Sequence, residues 1–95
     1  MSRLQNKVAL VTGAMRGIGL AIAQKFTAEG AKVMLLDLDE EKLAVACAAL
    51  PQDKVLWQKA DVTKATDIED AVNNLVKKWG QLDLVCCNAG IGGEA

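Results

Sequence analysis

Four short apolar runs punctuate the chain, and each ends on polar or small residues. Val8-Ala9-Leu10-Val11 stops at Thr12-Gly13, and Val33-Met34-Leu35-Leu36 stops at Asp37. Val55-Leu56-Trp57 opens a third run that ends near Asp61, and Leu82-Asp83-Leu84-Val85-Cys86-Cys87 ends at Asn88-Ala89-Gly90. Runs this short and this apolar predict strands buried on both faces, as in a parallel sheet. Between them lie three stretches with helical spacing. The first opens near Gly17, carries Ile18, Ile22 and Phe26 on one stripe, and stops at Gly30. Glycine is the usual residue just past a helix end. The second follows Asp39, a good N-cap, with Glu40 and Glu41 in its first turn. Leu43, Ala46, Cys47 and Leu50 share its face, and Pro51 closes it. The third opens on Thr66-Asp67-Ile68-Glu69, which reads as a capping box. Ile68, Ala71, Val72, Leu75, Val76 and Trp79 then keep the i, i+3, i+4, i+7 spacing as far as Gly80. Trp79 is expected to anchor the core.

The element order is βαβαβαβ. Helical crossovers between strands predict a parallel sheet with right-handed connections and helices on both faces. The expected fold is a three-layer α/β, Rossmann-like doubly wound sheet with strand order 3-2-1-4, in one domain covering residues 1–95. No internal repeat, linker or low-complexity segment interrupts it, and Gly92-Gly93-Glu94-Ala95 reads as a loop cut short.

Composition narrows the class. With 52% hydrophobic and 24% charged residues, the chain is neither a disordered segment nor a coiled coil. Eleven basic residues against 12 acidic ones give a formal net charge of -1, without a basic stripe for nucleic acid or a polybasic arm for a membrane. No apolar stretch approaches the ~20 residues of a membrane helix. Val8 to Val11 is too short for the core of a signal peptide. The three cysteines, two of them adjacent at Cys86 and Cys87, cannot make a disulfide framework and read as buried thiols in a reducing compartment. The expected location is cytoplasmic. There is no histidine, which removes the commonest general base and metal ligand, and no metal site is expected.

The most informative chemistry lies at the strand ends. Thr12-Gly13-Ala14-Met15-Arg16-Gly17-Ile18-Gly19 follows a predicted strand and opens a predicted helix. Its spacing is G-x-x-x-G-x-G, not the commoner G-x-G-x-x-G. The first glycine permits a tight turn, the next removes a Cβ that would block a pyrophosphate, and the last lets helix and strand approach. N–H groups at the helix start, with its dipole, would hold the phosphates. Asp37 ends the second strand roughly twenty residues on, where a carboxylate can accept from both ribose hydroxyls and repel a 2′-phosphate. Arg16 could meet such a phosphate, but direct repulsion by Asp37 decides for NAD over NADP. Asp61-Val62, at the carboxyl end of the third strand, can read the adenine amine and a ring nitrogen. Asn88-Ala89-Gly90 combines small residues for close approach with an amide that can tie strand ends together.

Together these residues resemble the short-chain dehydrogenase/reductase family. The matching pieces are Thr12-Gly13-x-x-x-Gly17-Ile18-Gly19, Asp37, Asp61-Val62 and Cys87-Asn88-Ala89-Gly90. Cys87 departs from the family's usual Asn-Asn-Ala-Gly. The candidate cofactor-binding set is Gly13, Met15, Arg16, Gly17, Ile18, Gly19, Asp37, Leu38, Asp61, Val62, Asn88, Ala89 and Gly90. The resemblance implies a nicotinamide-dependent oxidoreductase that interconverts a secondary alcohol and a ketone and assembles as a homo-oligomer. It also implies a catalytic serine and a Tyr-x-x-x-Lys pair. This chain has no tyrosine, and its one serine is Ser2. The 95 residues therefore read as the N-terminal, cofactor-binding part of such an enzyme, inactive alone. Two alternatives compete. One is a truncated, non-catalytic dinucleotide-binding or interaction module. The other is a methyltransferase-like domain, which the gap after Gly13 and the Asn-Ala-Gly ending fit poorly.

Overall fold

Strands and helices alternate in the order that the apolar runs predict. The computed structural model describes residues 4–13 and 17–87. They form strands β1 (Val8–Thr12), β2 (Lys32–Asp37), β3 (Val55–Lys59) and β4 (Leu84–Cys87). Helices α1 (Gly17–Ala28), α2 (Glu40–Ala48) and α3 (Ala65–Trp79) provide the crossovers that parallel strands require. Every pairing is parallel and the sheet order is β3-β2-β1-β4, as expected.

Alternation along the strands divides the core in two. Ala9, Val11, Val33, Leu35 and Val55 face Ala23 of α1 and Leu43 and Cys47 of α2. Val8, Leu10, Met34 and Leu36 face Ala71 and Leu75 of α3. Helices therefore cover both faces of the sheet, and all five residues of β1 are buried. Burial pushes the Cys47 thiol up to about 11, which suits a core residue and not a nucleophile.

The elements follow their sequences, with four corrections. In α1, Ile22 and Phe26 are half-buried against the core, while the side chain of Ile18 lies outside the description. The buried line of that helix is Gly19, Ala23 and Thr27, small residues four apart that let the helix lie close to the sheet. Thr27 satisfies its hydroxyl by donating to the Ala23 carbonyl at 3.0 Å. Gly30 (φ 95°) closes α1, with Ala31 N–H donating to Phe26 and Gly30 N–H to Thr27. Asp39 caps α2 by accepting from Lys42 N–H at 3.1 Å. The first correction concerns Leu50. It is buried but lies beyond α2, because the chain turns at Ala49 and Pro51 cannot continue a helix. A single 3₁₀ turn over Gln52–Lys54 follows, and the Gln52 side-chain amide donates to the Cys47 carbonyl in the last turn of α2 and to the Leu50 carbonyl just beyond it.

The second correction is the capping box. Helix α3 starts one residue before Thr66, with Lys64 at the N-cap and no side-chain cap bond. Thr66 is therefore inside the first turn and Glu69 is solvent-exposed. The carboxylate that reaches back is Asp67, and it accepts from Asp61 N–H at 2.8 Å. The third is Val76, which is exposed at the margin of the helix stripe, while Ile68, Val72 and Trp79 pack half-buried against the core as expected. The fourth is the start of β4. Pairing begins at Leu84, not Leu82, because Asp83 bonds with its side chain. Its backbone N–H donates to Val8 O at 2.8 Å, and its Oδ2 accepts from Val8 N–H at 2.8 Å.

Candidate functional site

The sheet order determines where a ligand can sit. From β1 the chain runs outward to β2 and β3, then returns to place β4 on the other side of β1. The crevice beyond the carboxyl ends of β1 and β4 is thus a topological switch point. Register brings the strand ends into one row, with Thr12 beside both Leu36 and Cys87, and Asp37 beside Lys59.

Gly13 leaves β1 buried and at φ 64°, a conformation that glycine adopts without strain. Gly17 is the first residue of α1, so its N–H belongs to the turn that has no partner within the helix. Gly19 is buried two residues on. Met15 and Arg16 in this turn, and Asn88, Ala89 and Gly90 after β4, lie outside the described residues.

Asp37 is half-buried at the end of β2, where its Oδ1 accepts from Leu38 N–H at 2.7 Å and from Asp39 N–H at 3.3 Å. Two backbone donors therefore orient the carboxylate that was expected to meet the ribose. Leu38 is 60% exposed just beyond it. A shallow depression of about 440 Å³ adjoins, lined by Leu38, Asp39, Glu40, Glu41 and Lys59. Three carboxylates against one ammonium make its rim negative.

Asp61 begins a tight turn. Lys64 N–H donates to the Asp61 carbonyl at 2.9 Å, and Asp61 Oδ1 accepts from Thr63 Oγ1 at 2.6 Å and Thr63 N–H at 2.9 Å. These two bonds from Thr63, with the nearby Lys64 ammonium, hold the Asp61 carboxyl below the ordinary carboxylate range. Its Oδ2 has no hydrogen-bond partner among the described residues and is available to an amine donor. Val62 sits half-exposed within the turn. One backbone bond ties this turn to the end of β2, with Ala60 N–H donating to Asp37 O at 2.9 Å. The structure thus brings Gly13, the start of α1, Asp37, Leu38, Asp61 and Val62 to the same edge of the sheet. Three contributors escaped the sequence pattern. Glu40 and Glu41 read as helix-dipole residues, and Asp67 read as part of a capping box. A second acid six residues after a strand-end aspartate was the available signal.

The residues present suit a dinucleotide. The positive-φ glycine at the end of β1 opens a helix start without side-chain bulk, and two separate carboxylates follow on the next two strand ends. Comparison with known proteins agrees. A family model described as short chain dehydrogenase matches residues 7–95. Galactitol 2-dehydrogenase of Agrobacterium fabrum is 46% identical over 90 residues, covering 94% of this chain and 34% of that protein. A mitochondrial borneol dehydrogenase of Lavandula x intermedia is 44% identical over 93 residues, covering 98% and 35%. A crystal structure of a short chain dehydrogenase from Bacillus anthracis superposes with a TM-score of 0.86 at 31% identity, covering 90% of this chain and 36% of that one. The chain spans about a third of the length of the curated relatives it matches.

Proposed function

The chain belongs to the short-chain dehydrogenase/reductase family, and from that premise we propose that it forms the dinucleotide-binding part of an NAD-dependent oxidoreductase. The reaction we propose for the complete protein interconverts a small secondary alcohol and its ketone. One observation carries this reading. The sheet order β3-β2-β1-β4 gathers the Gly13 turn, Asp37 and Asp61 along the carboxyl edge beside the switch point.

Each group has a distinct task. N–H groups at the start of α1 bind the pyrophosphate, Gly13 makes the tight turn off β1, and Gly17 gives the phosphates room. Asp37, oriented by Leu38 N–H and Asp39 N–H, accepts from the adenosine ribose hydroxyls. Asp61 Oδ2 accepts from the adenine amine while Val62 packs beside the ring. The family resemblance adds Met15, Arg16, Asn88, Ala89 and Gly90 to the cofactor-binding set. When bound, the nicotinamide supplies the hydride acceptor or donor. The proton on the substrate oxygen falls to the serine and the tyrosine-lysine pair that the family resemblance implies, and this chain contains no tyrosine.

NAD is preferred to NADP on charge grounds. A 2′-phosphate would enter beside Asp37 and the negative rim of Asp39, Glu40 and Glu41. The buried Cys47 thiol fits a reducing compartment, so we place the protein in the cytoplasm. Homo-oligomerisation of the complete protein rests on the family resemblance alone.

Titration of the complete protein with NADH and NADPH, by quenching of tryptophan fluorescence, tests the assignment. NADH should bind more tightly. Asp37→Ala should narrow the gap by about 1–3 kcal/mol, the value of a charge-assisted hydrogen bond at a desolvated site. Equal affinities in the unmutated protein overturn the role of Asp37. Binding of neither cofactor overturns the dinucleotide reading.

A further inference from the structure

We propose that Asp67, on α3, is a positioning residue that fixes the Asp61-Val62 turn in its adenine-reading conformation. The proposal rests on the role assigned above to Asp61. Strand β3 lies at the sheet edge, so only one side of its backbone has a neighbour. Ala60 N–H makes the last bond towards β2, donating to Asp37 O. The next N–H, that of Asp61, has no strand to meet and donates instead to Asp67 Oδ2 at 2.8 Å.

Asp67 is not serving as an ordinary cap. In a capping box, the acid at the third helical position accepts from the N-cap N–H. Here that N–H belongs to Lys64 and is already given to Asp61 O. The carboxylate reaches three residues further back and closes a ring over residues 61–67. Within the ring, Asp61 commits its N–H to Asp67, its C=O to Lys64 and its Oδ1 to Thr63. Only Oδ2 remains, so the side chain holds one orientation and presents one acceptor. The anchor is rigid, because α3 is fixed in the core by Ala71 and Leu75. A carboxylate is also favoured in the first turn of a helix by the dipole.

Two cofactors that differ at the adenine amine isolate this role in the complete protein. Nicotinamide hypoxanthine dinucleotide carries a carbonyl in place of that amine. Wild-type protein should bind NAD about tenfold more tightly than this analogue. In Asp67→Ala the ratio should fall about 3- to 10-fold, and the Asp61 amide should exchange faster with deuterium. Asp67→Asn keeps a carbonyl acceptor and should restore the ratio. A purely structural role would weaken both cofactors equally and leave the ratio intact. If Asp67→Ala does not fold, Asp67→Ser, whose shorter side chain cannot span the gap, replaces it. A wild-type ratio in either variant overturns the proposal. Failure of the wild-type protein to distinguish the two cofactors overturns the adenine role of Asp61, and this inference with it.

Discussion

Asp83 does with its side chain what the backbone does along the rest of the sheet. Its Oδ2 accepts from Val8 N–H and from the Gln81 amide, joining the starts of β1 and β4 across 75 positions of sequence. These bonds from Val8 and Gln81, with Lys7 close by, hold the carboxyl below the ordinary carboxylate range. The direction of the pH effect follows. A carboxyl with a lowered folded-state pKa stabilises the fold above its unfolded pKa, and that contribution is lost as pH falls through the folded value. The thermal unfolding midpoint of the complete protein should therefore fall on acidification from about pH 5 downward, with Asp61 adding in the same direction. Asp83→Ala should lower the midpoint at neutral pH and flatten this acid limb. An unchanged acid limb in the variant would assign the pH dependence to other carboxylates. Asp37 and Asp67 make the same point for the site. The Asp37 carboxylate accepts from Leu38 and Asp39 N–H and the Asp67 carboxylate from Asp61 N–H, bonds that side-chain chemistry alone does not reveal.

Whole elements were legible in the sequence where two signals coincided, and ambiguous where one signal served two readings. The end of α1 combined the last apolar position with Gly30, and the start of α2 combined Asp39 with two acids, and both stand where expected. The start of α3 offered Thr66 and Glu69 at capping-box spacing, yet the helix begins at Ala65 and neither residue caps it. The competing demand came from the turn after β3. Asp61, Thr63 and Lys64 satisfy one another's backbone groups, which removed the need for a threonine cap and freed Asp67 for the Asp61 amide. Local patterns cannot show this, because the decisive N–H is unpaired only at a sheet edge. Likewise, Leu82 belongs to the apolar run of β4 but packs half-buried below the strand, since Asp83 replaces the first ladder step. The α3 start yields a sharp expectation. Thr66→Ala should change stability by no more than about 0.5 kcal/mol, the usual range for an exposed site without a special contact. A true N-cap threonine would lose about 1 kcal/mol. Chemical denaturation of the two proteins side by side separates these cases.

At the scale of the whole molecule, topology was the most legible property, because four apolar runs and three helical stretches admit few arrangements once crossovers must be right-handed. What topology creates here is an unequal pair of sheet edges. On the β3 side, Lys59 and the polar residues Gln58 and Asn74 break up the apolar surface, and Asn74 donates to Gln58 at 2.8 Å. On the β4 side, the strand is paired with β1 alone among the described residues, and Leu84 and Val85 are 37% and 55% exposed. An apolar parallel strand at a sheet edge is a template for further pairing. In a longer chain the same edge offers a seat for an added strand. Residues 1–95 produced alone should therefore self-associate, and they should show no turnover with NAD and secondary alcohols, since no tyrosine is available to move the proton. Light scattering after size exclusion should give a mass above the 10.1 kDa of one chain. Val85→Lys, which places a charge on the edge strand, should shift the population towards monomer. A folded monomer at micromolar concentration without that substitution would show that the β4 edge is protected by itself, and measurable NADH formation would show that the proton is handled by residues already in this chain.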